Sequence, residues 1–134
     1  MAGATSYDSA RFAPKYAFKK TQDKYYRSKL GLPQFVWIEF LDVHRISKLG
    51  FRGLYRNAPR SFDIVGSFDC AKWTVLLHVA KAGFPDDSNL FKTWVVPPQN
   101  RKKAFRCIGI KVDAVMNAKK AYVLLKDFRM WEVL

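Results

Sequence analysis

What most limits the folds open to this chain is charge: 24 Lys and Arg stand against 11 Asp and Glu, a net of +13 in 134 residues. Self-repulsion on that scale opposes compaction and attracts polyanions, so the surroundings are expected to supply negative charge. Nucleic acid, anionic lipid head groups and acidic faces of neighbouring subunits are the candidates. The chain is nonetheless no disordered basic tail, because 49% of its residues are hydrophobic and 16% aromatic. Its length suits one domain with a real core. Eleven Phe, six Tyr and four Trp exceed what a small core holds easily, which points to permanent protein contacts.

The longest apolar stretches, Phe35–Leu41 and Trp73–Ala80, are broken by Glu39 and His78 and fall well short of the roughly 20 residues of a membrane-spanning helix. Residues 1–10 contain no apolar segment of the secretory kind, and as an organelle transit peptide they are weak, with Asp8 present and the first Arg only at position 11. Cys70 and Cys107 lie far apart, with no C-x-x-C motif and no zinc-ligand cluster around His44 or His78. A reducing compartment, with both thiols as small buried apolar groups and no metal or cofactor, is the expectation.

Glycine and proline divide the chain. Residues 1–33 read as a basic, aromatic extension that becomes ordered on a partner, with one short helix around Lys19–Leu30, and residues 34–134 as the core domain. Within the core domain, Phe35–Val43 reads as a buried strand, and Phe62–Phe68, Leu90–Val96 and Lys103–Val112 as further strands. A helix is expected over Val43–Tyr55 and another over Ala114–Arg129, the latter rich in Ala, Leu, Met and Lys and capped by Asp113. Cys70–Ala82, with Asp69 as N-cap, fits helical spacing and strand alternation equally well. The expected fold is therefore α+β: a small single domain with a mixed or antiparallel sheet, two or three helices and an extended basic N-terminal arm.

Three groups of residues are candidates for binding a polyanion or partner. Arg45, Lys48, Arg52, Arg56 and Arg60 follow one another at spacings of three and four, which places them along one side of a helix. Guanidinium groups make bidentate bonds to phosphate or carboxylate, although a solvated basic face has the same pattern. Arg11, Lys15, Lys19, Lys20, Lys24, Arg27 and Lys29 are interleaved with aromatics, of which Tyr16, Phe18, Tyr25 and Tyr26 are contact candidates, as is Trp131 near the apolar C-terminus. That mixture suits single-stranded RNA, a membrane–water interface or a tail wedged between proteins. Arg101, Lys102, Lys103 and Arg106 form a third patch beside a loop.

Catalytic chemistry is not visible. His44 has Asp42 and Ser47 nearby in sequence but no triad follows from that, and no paired carboxylates or Gly-rich phosphate loop occur. The expected function is a non-catalytic accessory subunit of a mitochondrial inner-membrane energy complex, a respiratory-chain complex or ATP synthase, on the matrix side. Its partners would be acidic subunit faces and anionic, cardiolipin-like lipid, without a transmembrane span. The alternative is a mitochondrial ribosomal protein that meets rRNA through the arm and the Arg45–Arg60 face.

Overall fold

A computed structural model describes residues 1–19, 24–85, 89–116 and 119–134. They form two packed antiparallel sheets. Nine strands appear in the order β1 (Ala2–Ala4), β2 (Tyr26–Arg27), β3 (Gln34–His44), β4 (Ile46–Gly53), β5 (Pro59–Ser67), β6 (Thr74–Val79), β7 (Phe91–Val95), β8 (Phe105–Val115) and β9 (Leu124–Glu132). One sheet runs β1-β3-β8-β5-β6, the other β2-β9-β4-β7.

Alternation builds the five-stranded sheet. Val36 of β3 and Ile64 of β5 both pair with Ile110 of β8, and Phe62 pairs with Val112, so one face of each strand is apolar. Val36, Phe62, Ile64, Ile108, Ile110 and Val112 are all buried. The four-stranded sheet supplies Leu49, Phe51, Leu125 and Phe128. Phe51 of β4 is the hinge of the packing: its ring lies 5.3 Å from Phe62 in the opposite sheet, 5.6 Å from Phe84, 5.1 Å from Trp94 and 6.0 Å from Phe128. Full burial of one such ring contributes about 2–3 kcal/mol.

The segment before Pro33 lies along the sandwich. β1 pairs with β3, β2 pairs with β9, and a 3-10 turn at Pro14–Phe18 carries Phe18 to within 5.4 Å of Phe128. Ala17 and Tyr26 are completely buried, and the Tyr26 hydroxyl donates to the Ser6 carbonyl at 2.9 Å. Burial pushes that hydroxyl far above its ordinary pKa.

The α+β expectation is corrected: among the described residues there is no α-helix, only four short 3-10 turns. Val43–Tyr55 is the end of β3, a tight turn and β4. Its Leu49 and Phe51 point inward while Gly50, facing out, leaves room for the Phe91 ring, which an added Cβ would approach to 2.9 Å. The span expected as a helix over Ala114–Arg129 contains the end of β8, a connection and most of β9; residues 117 and 118 lie outside the description. Helix-forming composition is a weak prior, and tertiary pairing of β9 with β4 overrides it. The short helix expected around Lys19–Leu30 falls partly on residues outside the description, and its described part contains β2. Cys70–Ala82 is a loop followed by β6. Asp69 caps the backbone N–H groups of Ala71 and Lys72, each at 2.9 Å, in a turn rather than at a helix start. Those bonds, with one from the Ser67 hydroxyl, hold the Asp69 carboxyl down at about 2.

Cys70 and Cys107 form a disulfide, their Cα atoms 5.5 Å apart. This corrects the reading of two free thiols in a reducing compartment, because such bonds persist where the environment is oxidising. No described helix is long and apolar enough to cross a membrane.

Candidate ligand-binding end

A sandwich has two ends. At one of them meet the β3–β4 turn, the β5–β6 loop carrying Asp69 and Cys70, the β7–β8 connection and the C-terminus. At the other meet the segment before β3, the β4–β5 loop at 54–58, the β6–β7 connection and the β8–β9 connection.

Main-chain and Asn57 bonds tie this second end together. Gly31 N–H donates to Ala121 O at 2.7 Å and Ser28 N–H to Val123 O at 3.1 Å. Asn57, only 8% exposed, donates through Nδ2 to the carbonyls of Lys120 at 2.9 Å and Tyr122 at 2.7 Å. Met116 N–H reaches Ala58 O at 3.0 Å, and Ala82 N–H reaches Arg60 O at 2.8 Å. Several side chains on this rim face outward. They include Lys29, Leu30, Tyr55, Arg56, Arg60, Lys81, Lys119 and Lys120, all exposed.

Tyr55 stands out among them. It is 53% exposed and its φ is +56°. A bulky non-glycine residue in the left-handed region is held there at a cost of order 1–3 kcal/mol, and such strain gathers at ligand sites. The turn is closed by Ala58 N–H on Tyr55 O at 3.3 Å. The ring and the Arg56 guanidinium are thus presented side by side in sequence, on a loop that Asn57 pins to Lys120. Nearby, Arg27 stacks over Tyr122 at 4.4 Å and Phe12 at 5.3 Å, with its Nε 3.5 Å from Asp8.

The remaining residues singled out in the sequence are scattered. Arg11 lies over the Phe12 ring, and Phe12 packs on Tyr25 at 5.3 Å. Lys15 and Lys24 both sit 5.2 Å from the Tyr16 ring. Burial raises the Tyr16 pKa, but the charges and hydrogen bonds of those two lysines outweigh it and the net shift is downward. Lys19 is exposed, and Lys20 lies outside the described residues. Tyr26 and Phe18 are packed in and against the core, as given above, rather than presented to a partner.

The helical face of Arg45, Lys48, Arg52, Arg56 and Arg60 does not exist. Arg45 is exposed in the β3–β4 turn and Lys48 covers Trp131 at 4.3 Å. Arg52 donates to Asn89 O and lies 3.9 Å from Asp127, which also takes two bonds from Arg129, at 2.7 and 2.9 Å. Arg56 and Arg60 belong to the loop end. Arg101 Nε donates to Val96 O at 2.7 Å, Lys102 and Lys103 are exposed in the same connection, and Arg106 is 3.9 Å from Glu39. Of the sixteen cations singled out, the loop end gathers Arg27, Lys29, Arg56 and Arg60. Sequence reasoning missed Tyr55 and Lys120; the Asn57-Ala58-Pro59 loop was the one available signal.

No protein-family model and no curated protein sequence matches this chain. Solved structures do. A family 32 carbohydrate-binding module, CpGH89CBM32-5 from Clostridium perfringens in complex with GalNAc-β-1,3-galactose, superposes with a TM-score of 0.78 at 15% identity, covering 98% of this chain and 94% of the module. Chitosan-binding module 2 of a chitosanase/glucanase from Paenibacillus sp. IK-5, in complex with chitotriose, gives 0.77 at 14% identity, covering 98% and 95%. The family 32 module of AlyQ, in complex with 4,5-unsaturated mannuronic acid, gives 0.75 at 12% identity, covering 99% and 95%. The neighbours are binding modules whose solved complexes hold sugars. That overturns the expectation of a mitochondrial respiratory-chain or ATP synthase subunit, with protein subunits, cardiolipin-like lipid or rRNA as partners, and the ribosomal alternative with it. The matrix location falls on the same ground, and on the disulfide. At these identities the likeness is one of fold, and the fold of this chain is that of the carbohydrate-binding modules.

Proposed function

We propose that this chain is a non-catalytic carbohydrate-binding module that takes acidic glycans at its cationic loop end. The observation that carries the reading is Tyr55, an exposed ring held by a left-handed backbone, with Arg56 beside it and Lys120 tied to the same loop. An aromatic ring offers a flat apolar surface to the C–H face of a pyranose. Guanidinium offers two parallel donors to a uronate carboxylate. Exposed pairs contribute only about 0.2–1 kcal/mol each, so several of Lys29, Arg56, Arg60 and Lys120 must act together. These groups grip an anion, which is binding chemistry.

Charge separates the sugars that similar modules hold. Chitosan carries amines, and a chain at +13 repels a polyamine; a polymer of mannuronate meets the same charge with attraction. Affinity electrophoresis through gels cast with alginate, a neutral galactan or chitosan tests this. Retardation by alginate that fades as salt rises is expected, with Tyr55→Ala weakening it by roughly tenfold and Arg56→Ala by roughly two- to fivefold. Equal retardation by the neutral galactan overturns the acidic specificity. Free migration in all three gels overturns the glycan reading itself.

A further inference from the structure

The opposite end of the sandwich holds a cavity that the loop end does not explain. The pairing of β3 with β8 runs to Glu39↔Cys107 and resumes only at His44↔Phe105. On its other side β3 is paired by β1 to Ile38 and by Met1 to Glu39. The ladder with β8 is thus irregular from Phe40 to Val43, where Phe40 packs against the core and Leu41 is fully exposed. Behind them opens a cavity of about 210 Å³ lined by Phe40, His44, Ile46, Met130 and Glu132.

Its walls divide by chemistry. Phe40, Ile46 and Met130 make an apolar side. His44 Nδ1 is bonded to Glu132 Oε1, which joins imidazole and carboxylate into one polar edge. The Phe40 ring stands edge-on to His44, with centroids 5.0 Å apart. The polar edge is fastened to the scaffold. The Ser47 hydroxyl donates to the carbonyls of Trp131 at 3.1 Å and Glu132 at 3.2 Å, and Val133 N–H donates to Arg45 O at 2.8 Å. The Glu132 side chain remains 58% exposed, so its carboxylate still faces an incoming ligand.

A ligand suited to this cavity has one face of C–H groups and a rim of hydroxyls. The space is below the roughly 300–1,000 Å³ of sites for larger ligands, which limits the occupant to about one ring. A uronate is disfavoured because its carboxylate would approach Glu132. We propose that this cavity is a second binding site, for a single uncharged pyranose unit, with Phe40 and Met130 against the ring and Glu132 and His44 on its hydroxyls. The site is independent of the loop end and stands whether or not that end takes acidic glycans.

Titration of the full chain with methyl β-galactoside, followed by NMR of the backbone amides and methionine methyls, tests the proposal. Saturable shifts are expected at the Met130 methyl and the Phe40, His44 and Glu132 amides. Glu132→Gln should weaken that binding roughly tenfold, since a bond to a charged acceptor is lost. Phe40→Leu, which keeps an apolar wall but removes the ring, should weaken it several-fold, and Tyr55→Ala should leave it unchanged. Shifts absent from these residues, insensitive to both cavity variants, or abolished by Tyr55→Ala would each overturn it.

Discussion

The two ends of the sandwich are closed by different means. At the loop end, main-chain bonds and the Asn57 amide do the joining, as in Gly31 to Ala121 and Asn57 to Lys120 and Tyr122. At the cavity end, main-chain bonds such as Val133 N–H to Arg45 O are joined by side-chain links, the Cys70–Cys107 disulfide and the His44–Glu132 pair. The difference decides what each end can offer. Where backbone closes the structure, charged side chains stay available, and Lys29, Arg56, Arg60 and Lys120 project from the loop end. Where side chains add to the closure, acids are placed among the cations, as Glu39 is beside Arg106, and what remains is a small shaped space with one polar edge. The proposed ligands follow that division, a long anionic polymer at one end and a single neutral ring at the other.

The comparison breaks entirely if the shared core is opened. Phe51→Ala removes the ring that Phe62, Phe84, Trp94 and Phe128 surround, and should cost about 3–5 kcal/mol in urea unfolding, with loss of binding at both ends. Replacing both Cys70 and Cys107 by Ser acts at one end only. The bond joins residues 37 apart, so its loss should lower stability by about 3–4 kcal/mol in the same measurement. Retardation by alginate should survive in that variant while it remains folded.

Asn57→Ala sharpens the comparison from the other side. It removes two donors to the Lys120 and Tyr122 carbonyls and should cost about 1–2 kcal/mol, weaken alginate binding, and leave the Met130 methyl resonance in place. The smallest effect is acidic. Asp69 is held at about 2 in the folded chain, below its usual 3.8, so its contribution is complete above about pH 4 and lost as the pH falls toward 2. Thermal unfolding across that range should show a steeper loss for the natural chain than for Asp69→Asn.

Of the five-stranded sheet, β3, β5 and β8 were legible from their β-branched and aromatic runs, with Val36 and Phe40 on one side of β3 and Phe35 and Trp37 on the other; β6 fitted helix and strand equally, and β1 was hidden in the segment read as an extension. β4 was not legible. A separation of four residues satisfies a helical face and, being even, one face of a strand as well. Lys48 and Arg52 therefore fitted a helix while sharing the outer face of β4. β9 was hidden by its helix-forming composition and by Asp127, whose φ of +58° breaks the alternation between Leu125 and Phe128. The partner of Cys70 lay 37 residues away, where no spacing rule applies. The cationic character of the proposed site could be read from Arg56 and Arg60, but not its location, because Tyr55 acquires its exposed left-handed conformation only when β4 ends against the loop that Asn57 anchors.

Backbone amide shifts during titration with a mannuronate oligosaccharide test the central claim most directly. The perturbed residues should cluster on 29–31, 55–57 and 119–122, and Arg56→Ala should weaken the binding by roughly two- to fivefold without moving the footprint. A footprint centred on Phe40–Ile46 and Glu132, on the outer face around Phe35, Trp37 and Trp73, or on no residue at all would contradict the account.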